Sequence, residues 1–169
     1  LLVNGRSVGR KKVKECKALF SKVTYEPGEI EAIALDAAGR ETGRARLISA
    51  TGATKLKLSP ERTLLRANGQ DLCFLDIDLV GENGVTRSSV DQKLTVEVTG
   101  AGTLQAFGSA RPHMAEDFVS QSHTTYYGKA LAVIRAGYEP GEIRVKVSGK
   151  DMEEEITLRV TADDSWEKM

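Results

Sequence analysis

Apolar and polar residues alternate with a period of two along most of the chain, and no segment sustains the 3.6-residue spacing of an amphipathic helix. Ile143, Val145 and Val147 alternate with Arg144 and Lys146, which marks a strand with one buried and one wet face. Cys73, Leu75, Ile77 and Leu79 share one side of another such run. The pattern predicts strands at 1–4, 11–16, 19–24, 29–35 and 41–48. A small, polar stretch at 49–54 suits a linker. Beyond it, strands are predicted at 55–58, 63–66, 72–80, 93–98, 103–106, 129–135, 142–147 and 154–160. Asn4-Gly5, Pro27-Gly28, Asp36–Gly39, Asn68-Gly69 and Asn83-Gly84 supply turns between them. Residues 163–169 form a charged tail expected to fray.

The hexapeptide Tyr-Glu-Pro-Gly-Glu-Ile occurs at 25–30 and again at 138–143, each time leading into an alternating run. Pro followed by Gly suits a type II turn, because Pro presets φ and Gly accepts the positive φ that follows. Two similar modules are therefore expected: an all-β chain of two tandem Ig-like β-sandwich domains, at 1–52 and 53–169. The first module is short of strands and opens on Leu1-Leu2-Val3-Asn4-Gly5 without an initiator Met. It is expected to be N-terminally incomplete, and the chain to be a piece of a longer polypeptide. The run after the first hexapeptide places Ile33 and Leu35 opposite Ile30, Ala32 and Ala34. An apolar pair on the supposed solvent face means either a covering neighbour or scattered surface residues.

Charge and composition narrow the partners. Lys+Arg and Asp+Glu number 24 each, which removes the electrostatic case for nucleic acid or an anionic membrane surface. No run of about 18 apolar residues offers a membrane span. Cys16 and Cys73 fall in different modules and match no paired motif. Cys73, on an apolar strand face, reads as a small buried thiol.

The chemistry-bearing residues form no recognised constellation, and no catalytic, cofactor-binding or metal-binding residue is nominated. Residues 108–127 break the strand rhythm and carry Pro112, His113, Glu116, Asp117, Phe118 and His123. Two His and two carboxylates are adequate ligand types for zinc, but their spacing matches no zinc motif. No Gly-x-Ser-x-Gly elbow is present. Gly100-Ala101-Gly102 opens no helix and reads as a turn rather than a phosphate loop. Glu153-Glu154-Glu155 suits a solvated edge better than an acid/base pair. Sugar-binding modules present exposed aromatic faces. Here Trp166 is in the tail, and Tyr126-Tyr127, if in a strand, would point one ring in and one out. Tyr25 and Tyr138 stand at equivalent turns, where they are expected to close a corner of each sandwich.

Several segments together resemble a known family. Leu2-Val-Asn-Gly-Arg-Ser-Val-Gly-Arg-Lys-Lys12, Tyr25-Glu-Pro-Gly-Glu-Ile-Glu-Ala-Ile-Ala34 and Gly39-Arg-Glu41 resemble the Ig-like module that follows the catalytic barrel in many bacterial glycoside hydrolase family 2 β-galactosidases. Leu58-Ser-Pro-Glu-Arg62, Ala67-Asn-Gly-Gln-Asp-Leu72, Gly100-Ala-Gly-Thr-Leu104 and Tyr127-Gly-Lys-Ala-Leu-Ala-Val-Ile-Arg135 resemble the C-terminal sandwich of the same enzymes. That sandwich is also similar to invasin/intimin-type Ig repeats. The resemblance implies a non-catalytic accessory region that braces the barrel, shapes the substrate approach or supports oligomerisation. The parent would hydrolyse β-galactosides with carboxylates this chain lacks, in the periplasm or outside the cell. The expected partner is the upstream catalytic domain, with a homo-oligomer and a carbohydrate as further partners and no cofactor. The alternatives are a tandem Ig-like adhesin stalk and a dedicated carbohydrate-binding module.

Overall fold

The computed structural model describes residues 1–162, so the 163–169 tail with Trp166 lies outside the described residues. The chain divides into two compact units, Leu1–Gly52 and Ala53–Met169. Both are all-β, and among the described residues there is no helix.

In the first unit β1 (Leu2–Val3), β2 (Arg6–Ser7), β3 (Glu29–Leu35) and β4 (Glu41–Ile48) form one antiparallel sheet in the order β2-β1-β3-β4. Asn4 and Gly5, at φ 48° and 75°, make a two-residue type I′ connection between β1 and β2. Asp36 shapes the β3–β4 hairpin, accepting hydrogen bonds from the Ala38 and Arg40 amides at 2.9 and 2.8 Å. The strands expected at 11–16 and 19–24 are absent; only an isolated Lys14–Lys17 bridge forms there. The physical reason is composition. Charged residues surround Val13 and Cys16 in 10–17, so that stretch has no apolar face to bury, and the positive φ of Glu15, Cys16 and Lys22 interrupts extended pairing through both stretches.

The facing of this sheet corrects another expectation. Glu31 pairs with Arg44 at 2.8 Å and Glu29 with Arg46 at 3.6 Å, on the same side as Ile33. The apolar side is the other one, where Ile30 lies between buried Val3 and exposed Leu47, Ala32 opposite Ala45 and Ala34 opposite Gly43. Leu47 is 74% exposed, and Val3 is the one fully buried apolar side chain among the described residues of this unit. The first Ig-like module thus consists here of a single sheet.

The second unit is a two-layer sandwich. Its strands are β5 (Lys55–Pro60), β6 (Leu64–Arg66), β7 (Leu72–Val80), β8 (Lys93–Gly100), β9 (Gly102–Gly108), β10 (Ser122–Thr124), β11 (Lys129–Ala136), β12 (Gly141–Gly149) and β13 (Met152–Thr161). One sheet runs β10-β8-β12-β13-β6 and the other β5-β7-β11-β9. All pairs are antiparallel except β6 with β13. Leu75, Ile77, Leu79, Ala132 and Ile134 of one layer belong to the same buried core as Leu94, Val96, Ile143, Val145 and Val147 of the other. Each fully buried Leu or Ile stabilises the fold by roughly 1.5–3 kcal/mol. The alternation read from sequence is what creates this core. Cys73 sits in it, its thiol donating to the Arg62 carbonyl at 3.1 Å, while Cys16 is exposed and both are free. Burial pushes the Cys73 thiol up from its ordinary pKa.

The glycine signals divide by conformation. Gly100, at φ 93°, is not part of a hairpin; it turns the chain from β8 in one sheet to β9 in the other. The two hexapeptide copies also differ. Gly28 has φ 131°, and the Asn4 side chain fills the place a Cβ would take. Gly141 has no positive φ and opens β12, so the type II turn expected there is absent. What Gly141 provides instead is room, since a Cβ would come 3.1 Å from that of Ala101.

Candidate functional site

Residues 108–127 fold back on the sandwich edge. The Phe107 amide donates to the Phe118 carbonyl at 2.8 Å and the Val96 amide to that of Gln121 at 2.8 Å, so both ends of the segment are tied to strands. The short β10 then pairs with β8, with His123 opposite Leu94. His123 is fully buried, stacked on Phe118 at 5.8 Å and 13° and edge-on to Phe107 at 6.0 Å and 68°. Its Nδ1 lies 3.0 Å from the Thr124 carbonyl, and its Nε2 lies 3.1 Å from Met114 Sδ. Glu116 accepts from the Thr124 amide at 2.9 Å and from its hydroxyl at 2.8 Å. The amide bond holds the Glu116 carboxyl below its usual pKa, with partial burial opposing and the Thr124 hydroxyl, His123 and Lys93 adding to the effect. Asp117 caps its own turn through the Val119 and Ser120 amides, and His113 is exposed.

The four residues with ligand chemistry are therefore not gathered around one point. Glu116 and His123 meet, at 3.5 Å from Oε2 to Nδ1, but both are occupied in latching the segment down. Among the described residues no group of three or more His, Cys, Asp or Glu could hold a metal ion. Glu153, Glu154 and Glu155 lie on the first half of β13, where Glu153 pairs with Lys146 at 2.8 Å and β6 covers only the last three residues of the strand. A shallow groove of about 680 Å³ runs beside Thr63, Glu142 and Arg159. Tyr138 lies over Gly69 and Tyr25 hydrogen-bonds Ser49 at 3.0 Å, so each tyrosine secures a turn.

At the far end of the segment, Tyr126 and Tyr127 are not in a strand, contrary to the in-and-out reading. Tyr127 and Gly128, at φ 51° and 71°, form a two-residue type I′ loop closed by the Lys129 amide donating to the Tyr126 carbonyl at 3.1 Å. Both rings come together, with centroids 4.4 Å apart and tilted by 50°. Tyr127 is 60% exposed. The Arg111 guanidinium stands 5.5 Å from the Tyr126 ring centroid and pairs with Asp91 at 2.9 Å. Asp91 also accepts from the Gly128 amide at 3.1 Å, tying the loop to the pair. A side-chain hydrogen bond with Tyr127 is the main reason the Tyr126 phenol lies above its ordinary pKa. Sequence reading missed Asp91 and Arg111, which lie far from the tyrosines along the chain. The aromatic-Gly dipeptide ahead of the 129–135 strand was the one local signal of this loop.

Residues 56–162 match the glycoside hydrolase family 2 C-terminal domain 5, and residues 1–43 match a domain of unknown function (DUF4982). The chain is 28% identical, over 97% of its length, to "Beta-galactosidase BoGH2A" of Bacteroides ovatus, of which it covers 19%. A family 2 glycosyl hydrolase from Bacteroides cellulosilyticus superposes with a TM-score of 0.86 at 31% identity, over 93% of this chain and 22% of that one. A family 2 β-glucuronidase shares the fold with a TM-score of 0.84 at 17% identity, over 96% of this chain and 17% of that one. The chain thus spans about a fifth of the length of the relatives it matches. The family match covers the two-layer sandwich. The chain belongs to glycoside hydrolase family 2, as an accessory β-sandwich region of its C-terminal type.

Proposed function

We propose that the chain is the non-catalytic C-terminal part of a longer glycosidase that hydrolyses β-galactosides, and that it braces the catalytic part of that polypeptide. The observation that carries this reading is the apolar face of the first sheet, where only Val3 is buried and Ile30, Ala32, Ala34, Ala45 and Leu47 are all exposed. Contiguous apolar surface of this kind is typically buried against another surface. The occupant assigned to it is the catalytic region, because the relatives devote only about a fifth of their length to the stretch shared with this chain. Cleavage of a β-galactoside needs two carboxylates across the scissile bond. In this reading they lie in the catalytic region, and the accessory part supplies rigidity, a boundary to the substrate approach, or a subunit contact. The β-galactoside itself is supported by the relative from Bacteroides ovatus that carries that name.

The test compares the 169-residue chain with the longer polypeptide on a chromogenic β-galactoside. The longer form is expected to turn over and the chain alone to be inert. Leu47→Asp in the longer form should shorten the half-life of activity on heating at unchanged kcat/KM. Enzyme-like turnover by the chain alone would sink the reading, and so would a half-life indifferent to Leu47→Asp.

A further inference from the structure

We propose that the Tyr126–Lys129 loop, with Arg111 and Asp91 beside it, is a saccharide-contact site. Tyr127 offers its ring to the apolar C–H face of a pyranose, and the Arg111–Asp91 pair hydrogen-bonds ring hydroxyls. The first support is conformational. A type I′ loop needs positive φ at both central residues, a demand met by Asn-Gly or Asp-Gly and resisted by bulky side chains. This chain meets that demand in the ordinary way at Asn4-Gly5, with φ 48° and 75°. At Tyr127-Gly128 it adopts nearly the same angles, 51° and 71°, with a tyrosine in the strained place. Strain of this kind persists where something beyond the local fold maintains it.

The second support is presentation. The Tyr127 ring is 60% exposed, while Tyr126, half-buried, backs it at 4.4 Å. Gly128 locks the loop from behind, since a Cβ there would come within 2.6 Å of the Arg87 carbonyl oxygen. A rigid aromatic side chain with two torsions loses little entropy when a ligand stacks on it.

The third support is the polar pair beside the Tyr126 ring. Asp91 and Arg111 place acceptors and donors side by side, held by Gly128, Thr125 and each other. Adjacent donor and acceptor groups match vicinal hydroxyls, which both give and accept hydrogen bonds. An anion would meet Asp91, and the chain's net charge of zero offers no field for a polyanion.

The choice of a saccharide rests on the family reading above, yet the two fail separately. Loss of bracing is read on the catalytic polypeptide, and sugar contact on this chain.

The experiment uses the 169-residue chain on a printed array of β-linked galacto- and gluco-oligosaccharides, with calorimetric titration of the best responder. Tyr127→Asn installs the residue the loop prefers and removes the ring. The expected result is binding by the wild type, at least a tenfold loss in Tyr127→Asn, and a Tm unchanged or raised. Tyr127→Phe keeps the ring and is expected to keep most of the binding. A flat array for the wild type overturns the proposal. Binding retained in Tyr127→Asn overturns it too, as does a Tm lowered by several degrees, which would make the ring a structural part of the loop.

Discussion

Glu116 shows how one carboxylate can hold a long loop in place. Its oxygens take both hydrogen bonds that Thr124 can give, and the Thr124 amide is the main reason its pKa lies below the ordinary value. The unfolded chain takes up that proton near pH ~4.3. The stabilisation is therefore complete above that pH and is lost as the pH falls through the lower, folded-state value. Glu116→Gln should lower Tm at pH 7 and flatten the acid limb of the Tm-against-pH curve relative to wild type. Parallel acid limbs would show that Glu116 carries no linked proton. Asp71, held low chiefly by Arg66, contributes to both curves and cancels in the difference. The two hexapeptide glycines give a second contrast. Gly28→Ala faces a positive φ and the Asn4 side chain, whereas Gly141→Ala faces only a tight contact with Ala101. The first should cost about 1–3 kcal/mol and the second under about 1 kcal/mol, read as amide exchange in Glu29–Leu35 and Gly141–Gly149 respectively. Equal costs would mean that the repeated sequence adopts one conformation after all.

Among the elements, β10 depends most on its surroundings. It has three residues, and its His123 is covered by Phe118 from the loop that precedes it. Phe118→Ala should speed amide exchange at Ser122–Thr124 and at Val96, which bonds Gln121, at a cost of about 1–2 kcal/mol. Unchanged exchange there would show that the strand pairing alone holds the segment. This dependence explains why β10 was not legible in the sequence. Ser-His-Thr has no apolar alternation, and a histidine becomes a core residue only once two rings close around it. By contrast β7, β11 and β12 were legible because Leu75, Ile77, Ala132, Ile134, Val145 and Val147 sit at strict alternate positions and are all fully buried. The stretch at 11–24 misled for the opposite reason: β-formers such as Val13 and Val23 were present, but no face existed for them to join. In the tyrosine loop the aromatic pair was visible and its geometry was not. Adjacent residues separate onto two faces only in a strand, and Tyr127-Gly128 is the turn itself.

The whole molecule is uneven in what holds it together. Apart from Val3, every fully buried apolar side chain among the described residues belongs to the second unit. Ordering a residue costs roughly 1–2 kcal/mol of backbone entropy, which a sheet face that buries one apolar side chain does little to offset. The ion pairs on the opposite side of that sheet, Glu31–Arg44 and Glu29–Arg46, are partly solvated and add little. Hydrogen exchange on the 169-residue chain is therefore expected to rank the units. Amides of Glu29–Leu35 should be protected at least a hundredfold less than those of Leu72–Val80 or Gly141–Gly149. Leu47→Lys should leave that weak protection nearly unchanged in the chain alone, because Leu47 is already exposed there. In the longer polypeptide the same sheet should gain protection toward that of the sandwich, and Leu47→Lys should remove the gain. If the first sheet is as protected as the second unit in the chain alone, its apolar face needs no cover, and bracing of a catalytic region loses its physical basis.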